Sequence, residues 1–313
     1  MTKVVYVGNF RPEYSTENDV ADALARLGTQ VVTVQEDDWA QGRCGMPDPD
    51  SVDMVLWTRT WPVPSALAEV SLQPFKAAGV PVVGYHLDRW WGLGRSRDLY
   101  SDPYWAWMDT FFTADPGTAH WARLGVNAVW TPPAVSERHL EPVTLPRHAP
   151  YPNAVVAFVG NTDETSYHPE HQHRFAMLDV LRRRYGSSFV EIPGRGRPAI
   201  RGPALTHIYG TVPVIVGDSC LAGLDAYWSD RVPETVGRAG LLLHPWTDWA
   251  GQYEPGRHLL CWRLGDWDGL CGVIDSALAD SAGRDRVRFE GAAHVRAGHT
   301  YTVRMRRVLE MML

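Results

Sequence analysis

Cysteine is sparse in this chain of 313 residues, which has only Cys44, Cys220, Cys261 and Cys271. No two of them are in C-x-x-C spacing, so the sequence indicates neither a zinc site nor a disulfide framework. Few cysteines are typical of a reducing compartment. The N-terminus also enters a predicted strand almost at once, without a charged leader and a cleavage site. We therefore expect a cytoplasmic protein.

The sequence also lacks long apolar runs, an excess of positive charge and a dinucleotide-binding fingerprint. No apolar stretch approaches the roughly 20 residues that span a bilayer, so no membrane span is expected. The net charge of -6 disfavours a general polyanion binder, although a local basic face stays open. The first predicted strand ends in G-N-F-R-P, from Gly8 to Pro12, rather than in G-x-G-x-x-G. This difference disfavours a nicotinamide or flavin oxidoreductase.

Short β-branched runs alternate with helical segments along the whole chain. This alternation predicts an α/β fold, in which parallel sheets carry helices on both faces. A proline-rich stretch over residues 131–152 interrupts the pattern, so we place a domain boundary near residue 150. The predicted domains are 1–150 and 151–313, and the last helix could pack back on the first domain. The alternation by itself would also allow a periplasmic-binding-type fold.

The stretch Y-W-S-D-R-V-P-E-T-V-G-R-A-G-L-L-L-H-P, residues 227–245, predicts a loop, a short helix and a buried strand. Ser229 or Asp230 can cap the helix start, and Pro233 suits its first turn. Glu234 is the only acid of this unit after Asp230. A carboxylate in a first turn favours the positive end of the helix dipole, which on the helix alone is the simpler role for Glu234.

The pattern S-D-R-x-x-E-x-x-G-R-x-G-x-L-x-H-P in this stretch resembles the signature of the CgeB-like (spore maturation protein-like) branch of GT-B glycosyltransferases. The similarity covers nearly the whole chain and is most specific in its C-terminal half. Further matching stretches are Ser15-Thr16-Glu17, Tyr85-His86-Leu87-Asp88, Thr113-Ala114-Asp115, Phe158-Val159-Gly160-Asn161, Ile200-Arg201-Gly202, Tyr209, Val216-Gly217-Asp218-Ser219, His299-Thr300-Tyr301 and Arg304.

The resemblance implies a GT-B architecture, with two Rossmann-like α/β domains that face each other across a cleft. It also implies a metal-independent enzyme that needs no cofactor and uses a nucleotide sugar as co-substrate. In such enzymes the glutamate that matches Glu234 holds the ribose of the donor. One departure concerns the E-x7-E pattern of many retaining GT-B enzymes, because its first position is Ala226 here.

On the donor side, the resemblance and the residue chemistry together select a set around Glu234. Arginine forks match phosphate oxygens, and Gly160 and Asn161 follow the first strand of the second domain. The segment that contains Arg195 and Arg197 lies where GT-B enzymes often receive the nucleotide base. A plain surface loop is an equal alternative for these two arginines. The spacing of His168, His171 and His173 does not predict a metal site, and a surface or phosphate-contacting cluster is favoured. The predicted donor-binding residues are Glu234, Arg231, Arg201, Arg174, Gly160, Asn161, Ser229 and Asp230.

On the acceptor side, His86 and Asp88 end a predicted buried strand, so either could position the acceptor or act as the catalytic base. An ordinary ion pair of Asp88 with Arg89 is an equal alternative. The 14 tryptophans are a compositional excess, and some could serve as platforms for sugar or base stacking. The other predicted acceptor-side residues are Gly8, Asn9, Trp90, Trp91 and Asp115, with core packing or a tight turn as the alternative for several of them.

The leading hypothesis is a glycosyltransferase that moves a sugar from a nucleotide donor to a glycan, a protein, a small molecule or a modified nucleobase. The alternatives are a non-catalytic nucleotide- or carbohydrate-binding module on the same scaffold and a nucleotide-sugar epimerase. The sequence leaves open the sugar, the nucleotide, the acceptor, the stereochemical outcome and the oligomeric state. DNA as acceptor is a minority hypothesis that depends on Arg284, Arg286, Arg288, Arg304, Arg306 and Arg307.

Overall fold

The computed structural model describes residues 1–93, 104–140, 151–162, 172–194, 198–220 and 226–313. These residues form two compact units. The first unit contains residues 1–132 and 301–313, and the second contains residues 133–300. The division therefore falls at the start of the proline-rich stretch, whereas the sequence places a boundary near residue 150, and the last helix belongs to the first unit. Residues 141–150 of that stretch, His168, His171, Arg195 and Arg197 lie outside the described residues.

The first unit is built on a six-stranded parallel sheet with the strand order β2-β1-β3-β4-β5-β6. The four central strands, β1, β3, β4 and β5, are buried along nearly their whole length, which explains their Val-rich and aromatic composition. The order changes direction at β1, where β2 lies on one side and β3 on the other. The strands are β1 Lys3–Gly8, β2 Gln30–Gln35, β3 Met54–Trp57, β4 Val82–His86, β5 Thr110–Thr113 and β6 Ala128–Trp130.

The helices of the first unit follow the strands in the expected alternation. The Oγ of Ser15 caps the first of them by accepting from the backbone N–H of Asn18 at 3.1 Å. The C-terminal helix packs on this first helix, and the Nε of Arg304 donates to the carbonyl oxygen of Pro132 at 2.9 Å. The helices are α1 Thr16–Arg26, α2 Glu36–Ala40, α3 Ser65–Ala77, α4 Tyr104–Trp107, α5 Thr118–Arg123 and α11 Tyr301–Met312.

The second unit repeats this design with a five-stranded parallel sheet in the order β11-β10-β9-β7-β8. Here the order changes direction at β7, which has β8 on one side and β9 on the other. Ligands of open α/β sheets bind outside the carboxyl ends of the strands at such a switch point. The strands are β7 Val156–Val159, β8 Phe189–Ile192, β9 Val214–Val216, β10 Leu242–Pro245 and β11 Leu260–Trp262.

The helices of the second unit include the predicted short helix of the signature stretch, which is α8. None of the helices within the described residues is both long enough and apolar enough to cross a membrane. The helices of this unit are α6 Gln172–Tyr185, α7 Gly202–Thr211, α8 Arg231–Gly237, α9 Trp267–Ala279 and α10 Ser281–Gly298.

Candidate functional site

The side chain of Arg231 lies across the carboxyl ends of β7 and β9, at the switch point of the second sheet. Its Nε donates to the carbonyl oxygen of Val159 at 2.9 Å, and its Nη1 donates to that of Asp218 at 2.5 Å. A Cβ on Gly160 would lie 2.6 Å from Nη2 of Arg231, and one on Gly217 would lie 2.9 Å from its Cδ. These two glycines, which belong to the further matching stretches, therefore make room for this arginine.

Asp218 holds the arginine in place from within the protein. It is fully buried, and its two carboxylate oxygens accept from Nε and Nη2 of Arg174, both at 2.8 Å. Its Oδ1 also accepts from Nη1 of Arg231 at 3.2 Å. The Nη1 of Arg174 donates to the carbonyl oxygen of Asn161 at 3.0 Å. Among the described residues, two guanidinium groups thus share this one carboxylate at the end of β7.

The predicted phosphate contacts of Arg174 and Arg231 therefore compete with a protein partner that the sequence analysis did not assign. In the sequence, Asp218 is recognisable only as part of a matching stretch, because nothing in one sequence shows that β9 ends beside β7. The Nη2 of Arg231 nevertheless makes no hydrogen bond within the part of the chain that the structure describes. His173 adjoins the same cluster, with its Nε2 3.3 Å from Oδ2 of Asp218.

A buried chain of hydrogen bonds fixes the start of α8. Nδ1 of His244 must donate to the carbonyl oxygen of Pro245 at 2.7 Å, so its Nε2 accepts from Oγ of Ser219 at 2.9 Å. Ser219 Oγ in turn accepts from the backbone N–H of Ser229 at 3.0 Å. Burial lowers the pKa of His244 to about 4, so the ring is neutral near pH 7. This chain ties the S-D-R segment to the end of β10.

Ser229 and Asp230 do not cap α8 as the sequence analysis expected. Asp230 occupies the cap position with helical backbone angles, and its side chain makes no capping hydrogen bond. The Oγ of Ser229 is buried without a hydrogen-bond partner among the described residues. The helix start is instead held by the backbone and by the chain from Ser219, because the preceding loop does not adopt the extended conformation that a side-chain cap needs.

Glu234 lies in the first turn of α8 with 18% of its side chain exposed. Its Oε2 accepts from Nη2 of Arg238. The Nη1 of the same arginine donates to the carbonyl oxygen of Gly202 and to Oγ1 of Thr206, both at 2.9 Å. Burial raises the pKa of Glu234, and the charge of Arg238 opposes that rise. Its Oε1 accepts no hydrogen bond from the described residues. Arg201, at the start of α7, is exposed.

In the first unit, the loop after β4 brings His86 next to Asp88 and Trp90. The Nδ1 of His86 accepts from the backbone N–H of Asp88 at 3.2 Å and from Nε1 of Trp90 at 3.3 Å. In the neutral ring the proton therefore resides on Nε2, which makes His86 a donor at that nitrogen. The ring nitrogen of His86 that could take up a proton already accepts from two donors, so His86 is the less suitable of the two predicted base candidates.

Asp115 organises the same loop rather than facing a ligand. It is fully buried, and its carboxylate accepts from the backbone N–H groups of Trp90, Trp91 and Gly117 at 2.8, 2.8 and 2.9 Å. Trp90 is buried against the ring of Trp105, as core packing requires. Trp91 is half-buried beside the ring of His120, so of the two tryptophans it keeps the more accessible ring.

Gly8 and Asn9 lie at the end of β1, the switch point of the first sheet. A Cβ on Gly8 would lie 2.6 Å from Cγ of Glu17, so the glycine permits close packing of α1. The Oδ1 of Asn9 accepts from Nε2 of Gln35 at 3.2 Å.

Two of the arginines on which the DNA hypothesis depends are part of the fold, because Arg288 donates to the carbonyl oxygens of Ala239 and Gly210, and Arg304 is buried.

Comparison with known proteins supports the interpretation of the second unit. Residues 185–310 match a protein-family model described as "Glycosyl transferase-like", and this range contains the signature stretch. No curated protein matches the sequence.

Solved structures similar to the whole chain are GT-B enzymes of low sequence identity. A glycosyltransferase from Rickettsia africae superposes with a TM-score of 0.65 at 11% identity, over 99% of this chain and 97% of that one. Anabaena HepE in complex with UDP-glucose gives 0.64 at 9% identity, over 99% of both chains. Sucrose-phosphate synthase from Thermosynechococcus elongatus gives 0.57 at 11% identity, over 99% of both chains. These likenesses establish the fold, so the predicted α/β GT-B architecture with two Rossmann-like domains is confirmed.

Proposed function

We propose that this protein is a CgeB-like glycosyltransferase that moves a sugar from a nucleoside diphosphate sugar to an acceptor in the cytoplasm. The observation that carries the proposal is the arrangement at the end of β7. There Arg231 is held by three hydrogen bonds, and its Nη2, beside the backbone of Gly160, makes none to the residues that the structure describes. The match to the glycosyl transferase-like family model over residues 185–310 includes Arg231 and Asp218 of this arrangement.

The diphosphate of the donor binds at Arg231, within the Arg174–Asp218–Arg231 cluster. Sugar transfer builds negative charge on the leaving diphosphate, and a fixed guanidinium stabilises that charge without reorganising during the reaction. Asp218 makes the arrangement rigid because it orients both arginines. The Nη2 of Arg231 is then the atom that contacts the phosphate oxygens.

Glu234 holds the nucleoside part of the donor. One carboxylate oxygen is fixed by Arg238, and the other accepts no hydrogen bond from the described residues. An ionised carboxylate can accept hydrogen bonds from the vicinal hydroxyls of a ribose, each contributing about 1.5–3 kcal/mol before the loss of water is counted. The ion pair with Arg238 orients the carboxylate and favours its charged form.

Because the arginine pair supplies the charge that a divalent cation supplies in other transferases, we propose that transfer does not depend on a metal or on a cofactor. We also assign the acceptor-side base to Asp88. Its neighbour His86 carries its proton on Nε2, and therefore serves to orient the loop. Anabaena HepE is described in complex with UDP-glucose, which makes UDP and UDP-glucose the first ligands to test.

The experiment is a thermal-shift screen of nucleoside diphosphates and their sugars on the wild-type protein and two variants. A ligand at 100 times its dissociation constant stabilises the folded state by about 2.7 kcal/mol, which is a measurable shift of Tm. We expect Glu234→Ala to bind the stabilising nucleotide at least about tenfold more weakly, a loss of roughly 1.4 kcal/mol. The matched control is Glu290→Ala, which removes a carboxylate of α10 that pairs with Arg257.

Wild-type affinity in Glu234→Ala would remove the ribose assignment. Stabilisation by no nucleotide at all would remove the proposal. Binding of a nucleotide sugar without its hydrolysis or transfer would favour a binding module, for which Ala226 in place of a first glutamate already provides a reason.

A further inference from the structure

A cavity lies at the switch point of the first sheet, and the proposed donor contacts and catalytic base do not explain it. It has a volume of about 200 Å³ and is open at the carboxyl ends of β1, β2 and β3. This volume is below the roughly 300–1,000 Å³ of pockets for drug-sized ligands, so it suits a single ring better than a nucleotide sugar. We call it the Trp61 pocket; its lining residues are Asn9, Arg11, Pro12, Gln35, Glu36, Asp37, Thr60 and Trp61.

Trp61 presents an aromatic ring to solvent at this pocket. The residue is 50% exposed, although an exposed indole costs apolar contact with water. Its backbone is held by Glu36, a fully buried carboxylate whose Oε2 accepts from the N–H of Trp61 at 2.6 Å. The same oxygen accepts from the N–H and the Oγ1 of Thr60, at 2.8 and 2.6 Å, and Oε1 accepts from Nε1 of Trp57 at 2.7 Å.

Burying Glu36 is unfavourable, as the raised pKa caused by its desolvation indicates. Four donors point at this carboxylate, so it is suited to the ionised form. The structure therefore fixes an exposed indole with a buried charge. A rigid, accessible aromatic face beside polar groups is the usual platform for the apolar face of a sugar ring.

Oriented amide groups stand next to this ring. The side chain of Gln35 accepts from the N–H of Phe10 at 2.9 Å, and its Nε2 donates to Asn9 at 3.2 Å and to Asp37 at 2.8 Å. These bonds determine which way the amide of Asn9 points. The Nδ2 of Asn9 and the Nε1 of Trp61 then make no hydrogen bond within the described part of the chain. The pocket thus offers fixed donors together with the carboxylate of Asp37.

The charges at the rim of the pocket cancel. Arg11 pairs with Asp37, and its Nη2 also lies 2.9 Å from Oδ1 of Asp38. Arg43 pairs with the same two carboxylates. The remaining charge is the negative one of Glu36, which disfavours a phosphate or another anion. A neutral ligand with several hydroxyl groups, each both donor and acceptor, matches this lining.

We propose that the Trp61 pocket binds one neutral pyranose ring of the acceptor, with its apolar face on Trp61 and its hydroxyls on Asn9 and Asp37. This proposal rests on the proposed function. It names the substrate class of that function, because an acceptor with a pyranose ring in this pocket is a carbohydrate. The Asn9 of the predicted acceptor side is part of this subsite, and Trp61 is the residue that the sequence analysis did not single out.

The test is saturation-transfer NMR with the methyl glycosides of glucose, galactose, mannose and N-acetylglucosamine, followed by titration of those that bind. We expect at least one glycoside to bind the wild-type protein, Trp61→Ala to weaken it at least tenfold, and Asn9→Ala to weaken it about fivefold. Phe289→Ala is the matched control, because Phe289 is another exposed aromatic side chain, with 68% exposure on α10. It should bind the glycoside like the wild type.

UDP is titrated in parallel on every variant, so that the two proposals can fail separately. UDP binding without any glycoside binding, or glycoside binding that Trp61→Ala leaves unchanged, would overturn the subsite and keep the donor site. A loss of UDP affinity in Trp61→Ala would also overturn it, because the pocket would then serve the donor. Glycoside binding that depends on Trp61 in a protein that binds no nucleotide would keep the pocket as a sugar site and remove the proposed function.

Discussion

Replacement of Asp218 by asparagine isolates the contribution of the cluster that holds Arg231. The carboxylate is fully buried and accepts three hydrogen bonds from two arginines whose side chains are only 9% and 15% exposed. Asp218→Asn removes the charge and puts an NH2 group, which cannot accept, against one of the guanidinium groups. Breaking a buried ion pair from one side costs about 3–5 kcal/mol, because an uncompensated charge stays buried.

This loss is a large share of the roughly 5–15 kcal/mol by which domains are stable. For a unit of the size of residues 133–300 it corresponds to a fall in Tm of roughly 6–20 °C, at about 2–4 °C per kcal/mol. The assay is urea unfolding followed by circular dichroism, together with calorimetry. The control is Asp179→Asn, which removes the charge of a 55% exposed partner of Arg182 and should cost about 0–1 kcal/mol.

The same variant should also weaken UDP binding, because Arg231 loses the partner that orients it. A free energy of unfolding within about 1 kcal/mol of the wild-type value would refute the reasoning. It would mean that the two arginines are solvated without Asp218, and that the cluster is not the rigid element on which the donor site depends.

Three further predictions concern the same two sheet edges. Protonation of His244 is favoured in the unfolded chain but not in the fold, so the free energy of unfolding should fall by about 3 kcal/mol as the pH drops from 6.5 to about 4. His244→Gln should flatten that slope in pH-dependent urea titrations, and an unchanged slope would contradict the assignment. Gly160→Ala should reduce both stability and UDP affinity, since φ is +154° and the new Cβ meets Arg231. The control Gly210→Ala has open space around its Cβ and should reduce neither in the same assays. Asp88→Asn should lower kcat more than the affinity for the donor in a transfer assay, and full activity with every acceptor would make Asp88 a structural residue.

Much of the architecture was predictable from the sequence because apolar β-branched runs and capping residues are local signals. The predicted alternation of strands and helices is the one observed, and Ser15 caps α1 through a local hydrogen bond. The helices α2, α4 and α7 give no clear periodicity in the sequence, since they are short or follow a glycine- and proline-rich segment.

The donor-side cluster was predictable only in part. The resemblance identified Arg231, Arg174 and Glu234, because they occur in specific motifs. It did not reveal that Asp218 pairs with both arginines, or that Ser219 and His244 brace the start of α8, since these contacts join strand ends that are far apart in the chain. Strand order, which decides which loops are neighbours, is not encoded in any local pattern.

The first unit shows the same limit. Trp61 follows β3, and its significance arises from the crossing of β3 to the side of β1 opposite β2, which brings the loop after β3 next to Asn9. The indole itself carries no mark in the sequence that separates it from the other tryptophans. Its exposure and its support by Glu36 are properties of the folded unit.

The central claim is that the end of β7 binds the diphosphate of a nucleotide sugar through Arg231. The most direct test is the release of free nucleoside diphosphate from a panel of UDP-, GDP-, dTDP- and ADP-sugars, measured in the presence of EDTA with and without methyl glycosides and oligosaccharides. We predict that one donor is turned over, that EDTA has no effect, and that Arg231→Lys lowers the rate at least about tenfold because a point charge replaces the fork. No release from any donor, or release that Arg231→Lys leaves unchanged, would contradict the account.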